Sequence, residues 1–200
     1  MKALLIIDAQ NDFMQGGALA VPQGDQIIPI INKIQDKFDL VVATQDWHPS
    51  GHASFASTHH KELFKTIDLD GINQIMWPDH CVQGTEGVNF HKDLKTDKIE
   101  AIFRKGTNPK IDSYSGFYDN AHLKSTGLKG YLKEKGVTEL YFTGLAADFC
   151  VAFSIKDALM QGFTCFLIED ATRAIDSANF SKIKEELETK GLQLLCSAAI

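Results

Sequence analysis

Long apolar runs, an excess of basic residues and paired cysteines are all missing from this sequence. No apolar run approaches the ~20 residues that a membrane-spanning helix needs, so no membrane association is expected. The net charge of −6, with acidic and basic residues interleaved, argues against a nucleic-acid-binding protein. The four cysteines have no paired spacing, which favours a reduced, cytoplasmic protein whose thiols are structural or catalytic.

A dinucleotide-binding fingerprint is missing as well, because no Gly-x-Gly-x-x-Gly follows the first apolar run. This absence disfavours a nucleotide-dependent oxidoreductase. The N-terminal stretch is too short for a signal peptide and ends in Asp8, so we predict a strand there. The 200 residues, 44 % of them hydrophobic, are enough for one domain with its own core.

Six short runs rich in Val, Ile, Leu and Phe alternate with helical patterns. Such runs are typical of strands covered on both faces, as in a parallel sheet. They are residues 2–8, 38–44, 99–104, 138–144, 163–168 and 192–196. Helices are predicted at 25–37, 126–135 (with Ser125 as its cap), 148–161 and 177–190. The alternation predicts a Rossmann-like α/β domain, with three α/β/α layers and a six-stranded, mainly parallel sheet.

The stretch from about 45 to 98 interrupts this alternation. It is rich in His and Trp and has little periodicity. A long irregular segment inside a compact domain is usually functional or disordered, and the aromatic content argues against disorder. We therefore predict a single domain, residues 1–200, that carries a functional loop insertion at about 45–98.

Three candidate catalytic side chains follow predicted strands, where ligands gather in parallel sheets. Cys150 lies near a helix start, where unpaired amides favour a thiolate and could hold an oxyanion, but it also fits a small buried residue that packs a helix. Asp8 suits a base for that thiol, or else a turn-forming residue. Lys105 would supply a positive charge to both, or else be a solvated lysine.

Asp46, His48 and His80 form a candidate set of metal ligands. Residues two apart in an extended segment point the same way, so Asp46 and His48 can face one ion. His80, from the long loop, completes a set of two histidines and one carboxylate, as in catalytic sites for zinc, iron or manganese. His52 is a candidate further ligand, whereas the adjacent histidines at 59–60 are expected to be solvated.

Aromatic residues in the loops offer a candidate pocket wall. They are Phe13, Trp77, Tyr114 and Phe117. Because aromatic residues in loops more often pack beneath those loops, this pattern alone does not decide between a pocket and a core.

Seven motifs together give a resemblance that no one of them gives alone. They are 5–13 (LIIDAQNDF), 16–19 (GGAL), 44–49 (TQDWHP), 77–85 (WPDHCVQGT), 105–107 (KGT), 112–117 (DSYSGF) and 144–151 (GLAADFCV). They span most of the chain. Their combination and their order resemble the nicotinamidase branch of the isochorismatase-like cysteine hydrolases. Two residues depart from that pattern: Ala147 stands where Thr is expected, and Phe149 where Tyr or His is usual.

The resemblance implies a role for each matching residue. It implies the catalytic triad Asp8, Lys105 and Cys150. It implies the metal ligands Asp46, His48 and His80. It implies an oxyanion hole formed by the amides of Ala146 and Cys150, and pocket walls formed by Phe13, Trp77 and Tyr114. It also implies a cis peptide bond between Leu145 and Ala146.

The resemblance further implies an amidase that hydrolyses nicotinamide to nicotinate and ammonia through a cysteine thioester, in pyridine nucleotide salvage. Pyrazinamide, with the same ring nitrogen and carboxamide geometry, is a second expected substrate. The implied cofactor is one divalent transition metal, zinc first, with iron or manganese as alternatives. Another amidase or a ureidohydrolase of the same family is the alternative enzyme, and a non-catalytic metal-binding or interaction protein is the alternative class. The sequence leaves open whether the chain forms a homo-oligomer.

Overall fold

A six-stranded sheet lies at the centre of the structure, a computed structural model that describes residues 1–200. Its strands are β1 (Lys2–Ile7), β2 (Leu40–Asp46), β5 (Ile99–Lys105), β6 (Glu139–Gly144), β7 (Thr164–Thr172) and β8 (Gln193–Leu195). They lie in the order β5-β2-β1-β6-β7-β8, and every neighbouring pair is parallel. All six predicted strands are confirmed, although β7 runs four residues beyond its predicted end at 168.

Two apolar clusters, one on each face of the sheet, form the core. Because successive side chains of a strand point to opposite faces, Leu4 and Ile6 belong to one cluster while Leu5 and Ile7 belong to the other. Helix α1 (Ile27–Ile34) covers the first face with its buried isoleucines. Helices α3 (Leu128–Glu134), α4 (Ala152–Met160) and α5 (Ser177–Thr189) contribute apolar residues to the second cluster. This arrangement confirms the three-layer α/β/α fold.

The helix boundaries agree with the sequence predictions except at the start of α3. Helix α1 is flanked by 3-10 turns at Gly24–Gln26 and Gln35–Lys37, so the prediction of 25–37 holds. The prediction that Ser125 caps α3 was wrong, because the capping position is Gly127, whose φ is 93°. The Ser125 hydroxyl instead accepts a hydrogen bond from the Gly127 N–H at 3.0 Å and so fixes the preceding turn. No helix is long and apolar enough to cross a membrane.

The insertion at 45–98 is more regular than predicted. It contains the short helix α2 (Ala56–His59) and an antiparallel hairpin of β3 (Thr66–Leu69) and β4 (Ile72–Ile75). Most hairpin residues are exposed or half-buried, and Asp68, Asp70 and Asn73 dilute its apolar pattern. The sequence therefore carried too weak a signal for these strands. The insertion brings His48 and His80 to Asp46, at the carboxyl end of β2.

Gly144, at the end of β6, is required by the close approach of β1. Its φ is 106°, and a Cβ there would lie 1.9 Å from the Ile7 carbonyl oxygen. We expect Gly144→Ala to lower the free energy of unfolding by more than about 3 kcal/mol, because backbone strain and a backbone clash add. Gly136→Ala is the matched control, since Gly136 also has a positive φ of 71° but open space around it. Its expected cost is about 1–2 kcal/mol, and denaturant unfolding of both variants measures the difference.

Candidate active site

Asp8 lies where β1 ends and the chain turns away from the sheet. Its φ is 44°, an uncommon value that an aspartate tolerates better than most residues. Thr44, on the neighbouring strand β2, makes two hydrogen bonds with Asp8. The Thr44 hydroxyl accepts from the Asp8 N–H at 3.2 Å and donates to Asp8 Oδ1 at 2.7 Å. The carboxylate is therefore fully buried in one orientation.

Lys105, the last residue of β5, is the central cation of the site. Its Nζ lies 2.9 Å from Asp8 Oδ2, 3.0 Å from Asp46 Oδ1 and 3.4 Å from Cys150 Sγ. It also donates to the Ser113 carbonyl at 3.0 Å. Burial alone would lower the pKa of Lys105, but the Asp46 and Asp8 carboxylates raise it well above its usual range. The side chain therefore stays charged, and the prediction of a solvated lysine is excluded.

Cys150 lies in a π-helical turn, Ala147–Val151, that leads into α4. Its sulfur lies within 4.8 Å of a carboxylate oxygen of Asp8. Burial raises the pKa of the Cys150 thiol well above its usual range, and the nearby Lys105 charge only partly offsets this. Burial also raises the pKa of Asp8. The site thus pairs a protonated thiol with a carboxylate of increased basicity, so thiolate formation requires transfer of the proton to a neighbour.

The peptide bond between Leu145 and Ala146 is cis, as the family resemblance implied. The Ala146 N–H has no hydrogen-bond partner within the protein. It lies four residues before Cys150, and both residues line the same cavity. A free backbone donor beside a nucleophile is a requirement of an oxyanion hole, which remains a prediction here.

Asp46, His48 and His80 converge as the sequence predicted. The two histidine Nε2 atoms lie 3.2 Å and 3.6 Å from the same oxygen, Asp46 Oδ2. Each histidine has its Nδ1 at hydrogen-bond distance from a backbone carbonyl, that of Gly106 for His48 (3.0 Å) and that of Pro78 for His80 (2.8 Å). A proton on Nδ1 satisfies that carbonyl and leaves the Nε2 lone pair facing the carboxylate.

This donor set fits a metal ion. Two lone pairs and a carboxylate oxygen repel one another unless a cation lies between them, and the buried His48 Nε2 has no hydrogen-bond partner. Nδ1 donors held by carbonyls are also the usual support for zinc-binding histidines. The other Asp46 oxygen lies 3.0 Å from the Lys105 ammonium, which favours the charged carboxylate that a metal ion needs. The residues could hold a divalent transition metal.

The remaining histidines of the insertion differ in their surroundings. His52 lies beside His48, with ring centroids 4.4 Å apart. Both of its nitrogens are occupied, Nδ1 with Ser54 at 2.8 Å and Nε2 with the Asn108 carbonyl at 2.8 Å. His52 therefore supports the ring of His48 and has no free lone pair for the same ion. His60 is exposed as expected, whereas His59 is half-buried against the Ala53 carbonyl.

A small cavity of about 320 Å3, including its mouth, opens onto the thiol and the metal-ligand group. Most of the predicted site residues line it together: Phe13, Asp46, Trp77, His80, Tyr114, Ala146 and Cys150. Leu19, Asp112, Phe149 and Ile175 complete the wall. Phe117 does not contribute, because it is fully buried in the core under α3 and α4. Eight of the eleven lining residues are hydrophobic, so the cavity suits a mostly apolar ligand.

The aromatic walls are fixed by a hydrogen-bond network that the sequence did not reveal. The Tyr114 hydroxyl accepts from Trp77 Nε1 at 3.1 Å and from Gln74 Nε2 at 3.0 Å. Phe149 packs edge-on against both Trp77 and Tyr114, with ring centroids 4.9 Å and 5.7 Å apart. The departure from the family pattern at 149 thus places another apolar ring in the wall.

Comparison with known proteins agrees with this geometry. Residues 2–199 match the isochorismatase domain family. A nicotinamidase of Acinetobacter baylyi is 46 % identical over 200 residues, covering 99 % of this chain and 94 % of that protein. The structure of a nicotinamidase and pyrazinamidase from Acinetobacter baumanii superimposes with a TM-score of 0.96 at 45 % identity, covering 99 % of this chain and 97 % of that one. A pyrazinamidase of Pyrococcus horikoshii in complex with zinc has a TM-score of 0.80 at 37 % identity, covering 98 % of each chain.

Proposed function

The chain belongs to the isochorismatase domain family, and on that premise we propose that it hydrolyses nicotinamide to nicotinate and ammonia. One observation carries the proposal: the Cys150 thiol contacts a buried lysine, lies near a carboxylate and lines a mostly apolar cavity beside a group of candidate metal ligands. The apolar walls suit a pyridine ring, with its carboxamide at Cys150 and its ring nitrogen on the side of Asp46 and His80. The free cysteines suit a cytoplasmic enzyme of pyridine nucleotide salvage.

Catalysis begins with proton transfer, because the thiol is protonated at rest. Asp8 accepts the proton of Cys150, and the thiolate attacks the carboxamide carbon to form a carbon–sulfur bond. The Ala146 and Cys150 amides hold the resulting oxyanion. Asp8 then returns the proton to the amide nitrogen, the carbon–nitrogen bond breaks, and ammonia leaves a thioester behind.

Hydrolysis of the thioester again uses Asp8 to accept and return a proton, with Cys150 now as the leaving group. Asp8 accepts one proton from the attacking water, the carbon–sulfur bond breaks, and the thiolate takes that proton from Asp8. Nicotinic acid leaves and loses its remaining proton to solvent as nicotinate. Lys105 stays charged throughout and stabilises the carboxylate and the transient thiolate, since its Nζ lies 2.9 Å from Asp8 and 3.4 Å from Cys150.

Asp46, His48 and His80 would hold the metal at the side of the cavity. When bound, a divalent ion there supplies a Lewis-acidic contact for the ring nitrogen of the substrate and so orients the carboxamide toward Cys150. Zinc is the first choice because the similar Pyrococcus horikoshii pyrazinamidase was solved in complex with zinc. Iron and manganese also suit two histidines and one carboxylate.

Purified protein is expected to carry about one divalent transition-metal ion per chain. His80→Ala and Asp46→Ala should each lower that content sharply, because each removes one of three ligands. Elemental analysis measures the ratio. His91→Gln is the control, since His91 lies outside this group and should leave the content unchanged. Full occupancy in both ligand variants would contradict the assignment.

The substrate is tested by comparing nicotinamide, pyrazinamide and benzamide in an ammonia-release assay. Benzamide keeps the flat ring and the carboxamide and lacks only the ring nitrogen. Water can take the position on the metal that the ring nitrogen would occupy. We therefore expect kcat/KM for benzamide to be lower by on the order of 10²-fold, a smaller loss than when a polar group of the site is left without any partner. Pyrazinamide should be cleaved. Equal turnover of benzamide and nicotinamide would favour the alternative, a general amidase of the same family.

A further inference from the structure

Asp46 belongs to the metal-ligand group and also contacts Lys105 of the catalytic triad. One of its carboxylate oxygens faces His48 and His80, while the other lies 3.0 Å from Lys105 Nζ. A small rotation of Asp46 would therefore disturb both groups at once. The backbone that carries it needs firm support.

On the side that faces β1, the sheet does not supply hydrogen-bond partners for the Asp46 backbone. The β1–β2 ladder ends at Ile6 and Ala43, and the chain turns out of the sheet at Asp8. On the other side, the register of β2 with β5 continues to Asp46 and Lys105. The N–H and C=O of Asp46 that face the departed strand would lack partners, and buried backbone groups without partners are costly.

The side chain of Gln10 takes the place of the missing strand. Its Oε1 accepts from the Asp46 N–H at 2.8 Å, and its Nε2 donates to the Asp46 carbonyl at 2.8 Å. The second Nε2 proton goes to the Val88 carbonyl, also at 2.8 Å. The side chain is fully buried, and both its donor and its acceptor groups are used. In effect, the amide of Gln10 adds one more peptide group to the parallel ladder.

We propose that Gln10 is a positioning residue that fixes Asp46 for metal binding and for contact with Lys105. The proposal rests on the proposed metal site at Asp46, His48 and His80. Residues that orient metal ligands typically change metal affinity by about 10- to 100-fold when they are replaced. Gln10 thereby connects the loop after β1 to the metal ligand on β2.

Two variants test the role. Gln10→Met keeps the length of the side chain and removes all three hydrogen bonds. Gln10→Glu keeps an acceptor for the Asp46 N–H and removes both donors. Gln45→Met is the matched control: Gln45 is also buried and also donates to the Val88 carbonyl, at 3.0 Å, but it makes no contact with the Asp46 backbone through its side chain.

The measurement is the affinity of metal-free protein for zinc alone, by competition with a chelator, at a temperature where circular dichroism shows every variant folded. We expect Gln10→Met and Gln10→Glu to bind zinc at least about 10-fold more weakly, with Gln45→Met unchanged. If only one Gln10 variant folds, that variant decides.

Wild-type zinc affinity in a folded Gln10 variant would overturn the proposal. So would an equal loss in Gln45→Met, which would reduce Gln10 to a general contribution to stability. Failure of the wild-type protein to bind zinc would instead refute the metal site on which the proposal rests, and the ammonia-release assay with nicotinamide reports separately on the proposed function.

Discussion

Replacing Cys150 with alanine is expected to lower the kcat of nicotinamide hydrolysis by at least about 10⁴-fold, because no other thiol lines the cavity. The fold should persist. Lys105 keeps its contacts with Asp8, Asp46 and the Ser113 carbonyl, so no buried charge loses its counterion. The ammonia-release assay measures turnover, and circular dichroism reports the fold.

The matched control for that experiment is Cys165→Ala. Cys165 is also fully buried, but it lies in β7 within the core cluster of the second sheet face. Its loss should cost stability and leave kcat nearly unchanged. More than a trace of turnover in Cys150→Ala would remove Cys150 from the role of nucleophile.

Asp8→Asn is expected to lower kcat by roughly 10²- to 10⁴-fold, the range typical for loss of a general base. Asparagine matches the shape of aspartate and can still bond Thr44, but it cannot accept the thiol proton. Lys105 retains the Asp46 carboxylate as its counterion. The exposed Asp36, which pairs with Lys98 at the surface, provides the control Asp36→Asn, for which no change is expected.

The pH profile of kcat/KM separates this role from a structural one. Burial raises the pKa of Asp8 above the ordinary carboxyl value of 3.8. As the pH falls through that raised pKa, the proton acceptor is lost, so the acidic limb of the wild-type profile should lie above the ordinary carboxyl range. The residual activity of Asp8→Asn should lack this limb. An unchanged acidic limb in the variant would assign it to another group.

The central sheet could be predicted because each of its strands is marked by a short apolar run in the sequence. Parallel strands covered on both faces are rich in apolar residues, and β1, β2 and β6 each contain an apolar run and are buried along nearly all of their length. The β3–β4 hairpin could not be predicted, because each strand has only four residues and few of their side chains are buried. The cap of α3 was mispredicted because a serine and a glycine two residues apart both suit that position.

The candidate site was predictable only where a residue carries its chemistry in its own side chain. Cys150, Asp8 and His80 could be predicted because a thiol, a carboxylate and an imidazole are reactive or metal-binding groups in themselves. The order of the motifs along the chain then indicated that the three belong to one site. The roles of Thr44, Gln10 and Gln74 depend instead on hydrogen bonds between segments 36 or more residues apart. Amides and hydroxyls are common in loops and strand ends, so no local pattern distinguished these three.

Asp46 also limits how this scaffold could be redesigned. Replacing His48 and His80 to remove the proposed metal site would leave the Asp46 carboxylate facing Lys105 alone, in competition with Asp8 for a single buried cation. Replacing Asp46 as well would restore the charge balance but would remove one of the two anions that hold the lysine in place. The proposed metal site and the proposed thiol chemistry therefore depend on the same buried lysine, and a variant without the metal ligands would require a new partner for Lys105.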